Sequence, residues 1–397
     1  MKEISKWKKI TSRALSYLLV AAIASVTTFG LTRNTATPVY EGDWGKLDEL
    51  MAIIDEYYIE DYDMDAVING AAAGIVDALG NPWSYYVSSD EYQSYMDNHT
   101  NSYVGIGVTV TVTEDGSGLL VEKVEPNSGA AEAGIVAGDT IILVGETPIS
   151  ELGLEGATNQ IRGEEGTTIN LTILHEGKEV VMDVLRRRIE VIVATGTMLE
   201  GNVGLITIEN FNERCADETI GWIETLLDQG AESFIFDLRF NPGGYKDEMV
   251  KILDYILPEG DLFRSVDYRG VEEIDRSDAN CLDMPMVVLI NQDSYSAAEF
   301  FAAAMQEYGW ATIVGTPSTG KSHFQITIPL EDGSAVNLSV GKYYTPKGVS
   351  LADVGGLQPD KIVEVDDETY LSIYYDQVDV ANDPQIQAAL EVLKSGK

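Results

Sequence analysis

Three stretches of this 397-residue chain carry side chains or turns that could act on a substrate. The first, "GTPSTGKS" at 315–322, satisfies the phosphate-loop pattern G-x-x-x-x-G-K-[ST] at every specified position. Such a loop holds polyphosphate when a helix follows it, because the helix N-terminus supplies free N–H groups and a favourable dipole. Here the chain continues as "SHFQITIPLEDGSAVNLSV", which alternates like a strand, turns at Asp332-Gly333 and returns as a second strand. "SFIFD" (233–237), the strand whose aspartate could hold magnesium, precedes the loop instead of following it. No nucleotide site is expected. In an extended segment Lys321, His323 and Gln325 share one face. A lysine that enters a pocket there loses solvation and is driven toward the neutral amine, which can act as a base.

The second stretch, "QDSYSAAEFFAAAMQEYG" (292–309), follows the apolar strand pattern "MPMVVLIN" and puts Ser296 where strand turns into helix. Ser296 with Glu299 three residues on reads as a capping box, and Ser294 is an alternative cap. The place also suits a nucleophile, since the N–H of Ala297 and the helix dipole favour negative charge beside the hydroxyl. The third stretch, "DLRFNPGG" (237–244), ends another apolar strand. Its Gly243-Gly244 pair either closes an ordinary turn or lets backbone N–H groups approach a substrate carbonyl closely.

These stretches need a scaffold. Residues 190–375 alternate apolar strands with amphipathic helices, which predicts an α/β core: a mostly parallel sheet with flanking helices and an added β-hairpin. Residues 376–397 form a tail and last helix, with Asp383 placed to cap it and Pro384 to open it. Residues 43–100 carry helical spacing up to the stop signal "LGNPWS", an N-terminal helical subdomain, and 101–189 read as short strands broken by glycine turns. The chain opens with a basic tail (1–12), an apolar run within 13–32 and a polar linker (33–42). That run is long enough for a single transmembrane helix with the basic flank cytoplasmic, so the remainder is expected outside the cytoplasm. An A-x-A pattern at Ala22 and Ala24 leaves a cleaved signal and a secreted product as the alternative.

The composition removes other classes. With 65 acidic against 26 basic residues the net charge is -39, which argues against nucleic acid as a partner. Three histidines and two cysteines leave a zinc site almost no ligands, and neither metal nor cofactor is expected. Pairing of Cys215 with Cys281 is left open by their spacing.

Within 101–189, "YVGIGV" (103–108) and "SGAAEAGIVAGDTIILVGETPI" (128–149) resemble a PDZ-like domain. The resemblance implies that Val104, Gly105, Ile106 and Gly107 form a loop whose backbone N–H groups meet the carboxylate of a peptide added as a strand. The ordered set "DLRFNPGG", "INQDSYSAAEFFAAAM", "GTPSTGKSHFQITIPLEDGS", "YYTPKGVSL" and "GLQPD" resembles the carboxyl-terminal processing peptidases, from about Trp44 to the final helix. It implies Ser296 as nucleophile, Lys321 as general base, Gln325 as the residue orienting it, and Gly243 or Gly244 with Ala297 as oxyanion donors. Two positions depart from the family's pattern: Tyr295 and His323 stand where a small and a small polar residue are usual.

The resulting expectation is an extracytoplasmic serine endopeptidase that recognises free protein C-termini. Lys321 must then titrate well below the usual value of about 10.4, toward roughly 7–8. His323 is an alternative base. Arg162 is a candidate link between module and protease body, and resemblance to relatives makes a homodimer plausible. A membrane-tethered PDZ scaffold on an inactive protease fold is the rival reading, should Tyr295 or His323 disrupt the site.

Overall fold

The computed structural model describes residues 44–395. The expected membrane segment at 13–32 and linker at 33–42 lie outside the described residues. Among the described residues no helix is long and apolar enough to cross a membrane. The chain divides into two compact units, one ending at Ala66 and one running from Val67. The first contains helix α1 (Gly45–Tyr57), no residue of which is buried. Helix α2 (Met64–Asp77) is followed by the Gly80–Pro82 stop, the short strand β1 (Tyr85–Val87), helix α3 (Ser89–Thr100) and strand β2 (Ser102–Gly105). The N-terminal segment is thus not purely helical: β1 pairs antiparallel with residues 335–337 of the protease body.

The glycine-punctuated block folds as a β-rich module. Strands β3 (Val108–Val112), β4 (Leu119–Val124), β5 (Thr140–Val144), β6 (Thr147–Pro148), β7 (Thr168–His175) and β8 (Lys178–Leu185) form one sheet ordered β3-β4-β5-β7-β8, with β6 paired to β5. Helix α4 (Gly129–Ala133) and α5 (Ile149–Ile161, broken at Gly153) accompany it. Leu119, Ile141, Leu171, Ile173 and Val184 are fully buried in its core. Strand β9 (Arg187–Glu190) pairs with β2, so the module enters and leaves on two adjacent strands.

The protease body has two sheets. The central one is ordered β10 (Ala194–Leu199), β11 (Val203–Ile208), β12 (Ser233–Asp237), β15 (Met286–Ile290), β16 (Ala311–Gly315) and β19 (Lys361–Ile362), all parallel beyond the antiparallel β10–β11 pair. Alternate residues of each strand feed two cores. Ile206, Phe234, Phe236, Val288 and Ile290 face α6 (Cys215–Asp228), α7 (Lys246–Ile256) and α8 (Ala297–Glu307), while Leu205, Ile235, Leu289 and Val314 share a core with α11 (Pro384–Ser395), which follows α9 (Leu351–Val354) and α10 (Asp367–Tyr374). Both faces are covered, which is why these strands read as continuous apolar runs. Asp383 caps α11 as expected, accepting from the N–H of Gln385 and Ile386, and also pairs with the buried Arg239 at 2.8 Å.

The second sheet is larger than the single hairpin expected. Strand β18 (Ala335–Tyr344) pairs with β1, β13 (Gly260–Asp267) and β17 (His323–Pro329), and β14 (Glu272–Ser277) completes the sheet beyond β13. The β13–β14 hairpin escapes the sequence because charges, not apolar residues, fill most of its outer strand, hiding the alternation that marks a half-buried strand.

Candidate active site

Ser296 sits at the junction of β15 and α8, as expected, but in a conformation that no cap requires. Its φ and ψ are 60° and -127°, outside the regions ordinary residues occupy, and its hydroxyl makes no cap hydrogen bond. Glu299 returns to the serine in the manner of a capping box: its Oε2 accepts from the Ser296 N–H at 2.9 Å. Ser294 does not cap the helix either. It donates to Leu238 O at 2.7 Å and accepts from the Asn291 N–H, tying β15 to the end of β12. Helix α8 is buried from Ala297 through Met305, which anchors the serine rigidly to the core.

The loop that imitates a phosphate site does hold an anion, and that anion is the Glu299 carboxylate. Oε1 accepts from Ser318 Oγ at 2.5 Å and from the Gly320 N–H at 2.6 Å, while Oε2 accepts from the Lys321 N–H at 2.8 Å. Glu299 is fully buried, and desolvation raises its pKa against the lowering effect of these bonds. One carboxylate oxygen therefore binds the backbone of both Ser296 and Lys321. As expected, the segment after Lys321 is the strand β17, and no helix follows the loop.

The Lys321 side chain enters a cleft of about 990 Å³ that also holds Ser296, Gly243, Gly244, His323 and Gln325. Burial pulls its pKa down to about 8, with the Glu299 charge opposing. Its Nζ lies 4.7 Å from the ring centre of Trp83 and 5.6 Å from that of Tyr295. Gln325 does not reach it by hydrogen bond: its amide NH₂ donates to His323 O at 3.0 Å and Ser339 Oγ at 3.1 Å, because a bulge at Phe324/Gln325 re-aims the strand. The orienting bond expected between Gln325 and Lys321 is absent. His323 has a buried Nδ1 with no partner, and burial lowers its pKa.

The third stretch closes over the serine. Gly243 has φ +86°, and a Cβ there would stand 2.7 Å from Ser296 Cβ and 2.8 Å from the Ala297 nitrogen, so only glycine fits. Its N–H, however, is spent on Asn241 Oδ1 at 2.8 Å, which removes it as an oxyanion donor. Among the described residues the N–H groups of Gly244 and Ala297 find no acceptor. Asn241 also donates to Ile208 O and accepts from the Tyr295 N–H, lacing the turn to the serine loop.

In the β-rich module, Val104 and Gly105 are ladder residues of β2, opposite Arg188 and Arg187. The Ile106 side chain is buried in the core, which leaves its backbone to face a ligand. The carbonyls of Ile106 and Gly107 accept from Ala130 and Glu125, and the N–H groups of both residues find no acceptor among the described residues. Strand β3 next to them is an open edge. Arg162, at the end of α5, stands over the Tyr103 ring and reaches Ser94 Oγ at 3.3 Å and Asp97 Oδ2 at 3.4 Å on α3. Cys215 and Cys281 are both free.

Comparison with known proteins decides the family. The profile of peptidase family S41 matches residues 202–363 and that of the PDZ domain matches residues 96–174. The carboxy-terminal-processing protease of Bartonella bacilliformis is 31% identical over 363 residues, covering 88% of this chain and 80% of that protein. This chain belongs to peptidase family S41. It is a serine-type peptidase with a PDZ domain, in the group of carboxy-terminal processing proteases. The S41 relative of Bacillus subtilis, carboxy-terminal processing protease CtpA, is 30% identical over 359 residues, covering 88% of this chain and 76% of that one. Among solved structures the photosystem II D1 C-terminal processing protease is similar, with TM-score 0.46 and 24% identity, covering 81% of this chain and 87% of that chain.

Three features of this site escape sequence reasoning. Asn241 was visible only as a turn residue. Glu299 was visible only as a cap, although "SAAE" does place a carboxylate where it can return to the serine. Trp83 lies more than two hundred positions from Lys321 and carried no local signal.

Proposed function

We propose that this S41 peptidase is an extracytoplasmic endopeptidase that selects substrates by their free C-termini and cleaves by a Ser296–Lys321 acyl-enzyme mechanism. The observation that carries the reading is the shared oxygen of Glu299, which holds the backbones of both residues at one cleft while burial lowers the Lys321 pKa. Neutral Lys321 takes the proton of Ser296 Oγ as that oxygen attacks the peptide carbonyl. The oxyanion is received by the free N–H groups of Ala297 and Gly244. Lys321 then passes the proton to the leaving amine, and water resolves the ester by the reverse route. The PDZ module adds the substrate tail to the β3 edge, its carboxylate meeting the Ile106 and Gly107 N–H groups.

The location rests on the basic flank and apolar run before residue 33, with the acidic remainder outside the cytoplasm. Fractionation with protease protection of intact cells checks it. The mechanism is tested by cleavage of an unfolded protein with an apolar C-terminus, comparing the full chain with Ser296→Ala, Lys321→Ala and His323→Ala. Loss with the first two and survival with the third is expected. Survival of Lys321→Ala would sink the mechanism, and an inert parent that still binds C-terminal peptides would favour a PDZ scaffold.

A further inference from the structure

Lys321 is a half-buried lysine whose ammonium has no carboxylate in direct ion-pair contact. Among the described residues no carboxylate lies within 4.0 Å of Nζ. What faces it instead is aromatic. The Trp83 and Tyr295 rings are stacked with centres 5.8 Å apart and planes inclined by 30°, and Nζ lies over both. A cation over the face of an indole or phenol ring is attracted by the ring quadrupole, most strongly for tryptophan and where water is excluded.

The chain goes to some length to hold Trp83 there. Asn81 Oδ1 accepts from the Trp83 N–H at 3.0 Å and from Ser84 Oγ at 3.2 Å, making a tight loop. That loop is fastened to β18: Asn337 Nδ2 donates to Trp83 O, the Ser339 N–H donates to Ser84 Oγ at 3.0 Å, and Ser339 Oγ donates to Asn81 Oδ1 at 3.0 Å. Ser339 Oγ in turn accepts from Gln325 Nε2. Gln325 thus reaches Lys321 only at one remove, through the loop that carries Trp83.

We propose that Trp83 and Tyr295 are positioning residues for the general base: they hold the Lys321 side chain and stabilise the positive charge it acquires when it deprotonates Ser296. This rests on the Ser–Lys reading above. The neutral amine gains little from the ring faces and the ammonium gains more, so the pair favours the charged state formed during acylation. Tyr295, a departure from the family's small residue, then serves the base instead of obstructing the nucleophile.

Other groups bear on the same charge. Glu299 on α8 favours the ammonium from the backbone side, and His323 beside it on β17 is near enough to interact. Lys342 on β18 and Asp353 on α9 (Leu351–Val354) act on His323, and Asp293 acts on the Tyr295 hydroxyl. None of these changes when the ring at 83 is altered, so the ring can be tested alone.

The experiment is the pH profile of kcat/KM for the full chain, parent against Trp83→Leu and Trp83→Phe. If the ring stabilises the ammonium, Trp83→Leu moves the acid limb to lower pH by about 0.5 unit, lowers kcat about 2- to 5-fold and leaves KM nearly unchanged, while Trp83→Phe restores most of both. If Trp83 is only an apolar wall, its removal admits water, the lysine pKa rises and the limb moves to higher pH; that result, or no movement, overturns the proposal. Labelling with fluorinated tryptophans weakens the ring quadrupole at constant shape and must move the limb the same way, with no effect of the label in a Trp83→Phe background. An active Lys321→Ala would overturn both this proposal and the Ser–Lys reading. An inactive Lys321→Ala with an unmoved limb in Trp83→Leu and in the fluorinated protein would overturn the aromatic pair alone.

Discussion

Ser128 in the PDZ module and Ser296 in the protease body are built alike. Each begins a helix, and each has its Cβ against a glycine of positive φ. A Cβ on Gly107 would stand 2.4 Å from Ser128 Cβ, and one on Gly243 would stand 2.7 Å from Ser296 Cβ. Among the described residues each site also leaves two backbone N–H groups without an acceptor: Ile106 and Gly107 in one, Gly244 and Ala297 in the other. The difference lies in the hydroxyl. Ser128 has an ordinary φ of -84° and accepts from the Ala131 N–H at 3.1 Å, so its oxygen is consumed by the cap. Ser296 adopts φ 60° and leaves its oxygen uncapped. On the proposed roles, a pocket for a carboxylate and one for an oxyanion share a backbone plan, and freeing the serine is what would turn binding toward reaction.

The largest expected separation between the two follows from removing each hydroxyl. Ser296→Ala lowers cleavage about 10⁴-fold or more. Ser128→Ala costs about 1 kcal/mol of stability, read as a lowered Tm, and leaves turnover close to the parent's. Equal losses from both would break the comparison.

The glycines give the next effect. Gly243→Ala lowers kcat about 10²-fold or more by displacing the serine loop from its donors. Gly107→Ala weakens binding of a peptide with an apolar C-terminus by on the order of tenfold, measured by fluorescence anisotropy, with kcat little changed.

Acidity separates the sites more gently. Burial disfavours the Lys321 ammonium, so if the neutral amine is the active form, as proposed, kcat/KM rises as pH climbs through about 8 and levels off above it. C-terminal peptide binding has no such step between pH 7 and 9. An acid limb lying instead below the ordinary histidine value, in the direction burial moves His323, would reassign the base.

The smallest effect belongs to the connection between them. Arg162→Ala severs long, partly exposed contacts to Ser94 and Asp97, worth about 0.2–1 kcal/mol. Cleavage of a substrate bearing a good C-terminus should fall only a few-fold, and binding of the free peptide should not change.

Most of the central sheet was legible because its strands are apolar on both faces, and the helices because their spacing and caps are local signals. The β13–β14 hairpin and the pairing of β1 were not, since charged edge strands and three-residue strands carry no period of their own. In the site, the positions of Ser296 and Lys321 followed from strand ends and turns. The loss of Gly243 as a donor could not be read, because it depends on the Asn241 side chain folding back two residues. Nor could the aim of Gln325, which a one-residue bulge in β17 decides.

Glu299 has a consequence for regulation. Since one oxygen of its carboxylate accepts from the amides of Ser296 and Lys321, the proposed nucleophile and base are tied to one residue of α8. A resting enzyme of this construction would be silenced least easily by parting the two. The easier course is to withdraw the Gly244 turn, which is secured from outside that carboxylate through Asn241 and Phe211. Off and on states would then differ in whether the oxyanion has somewhere to go, with the reactive couple intact in both.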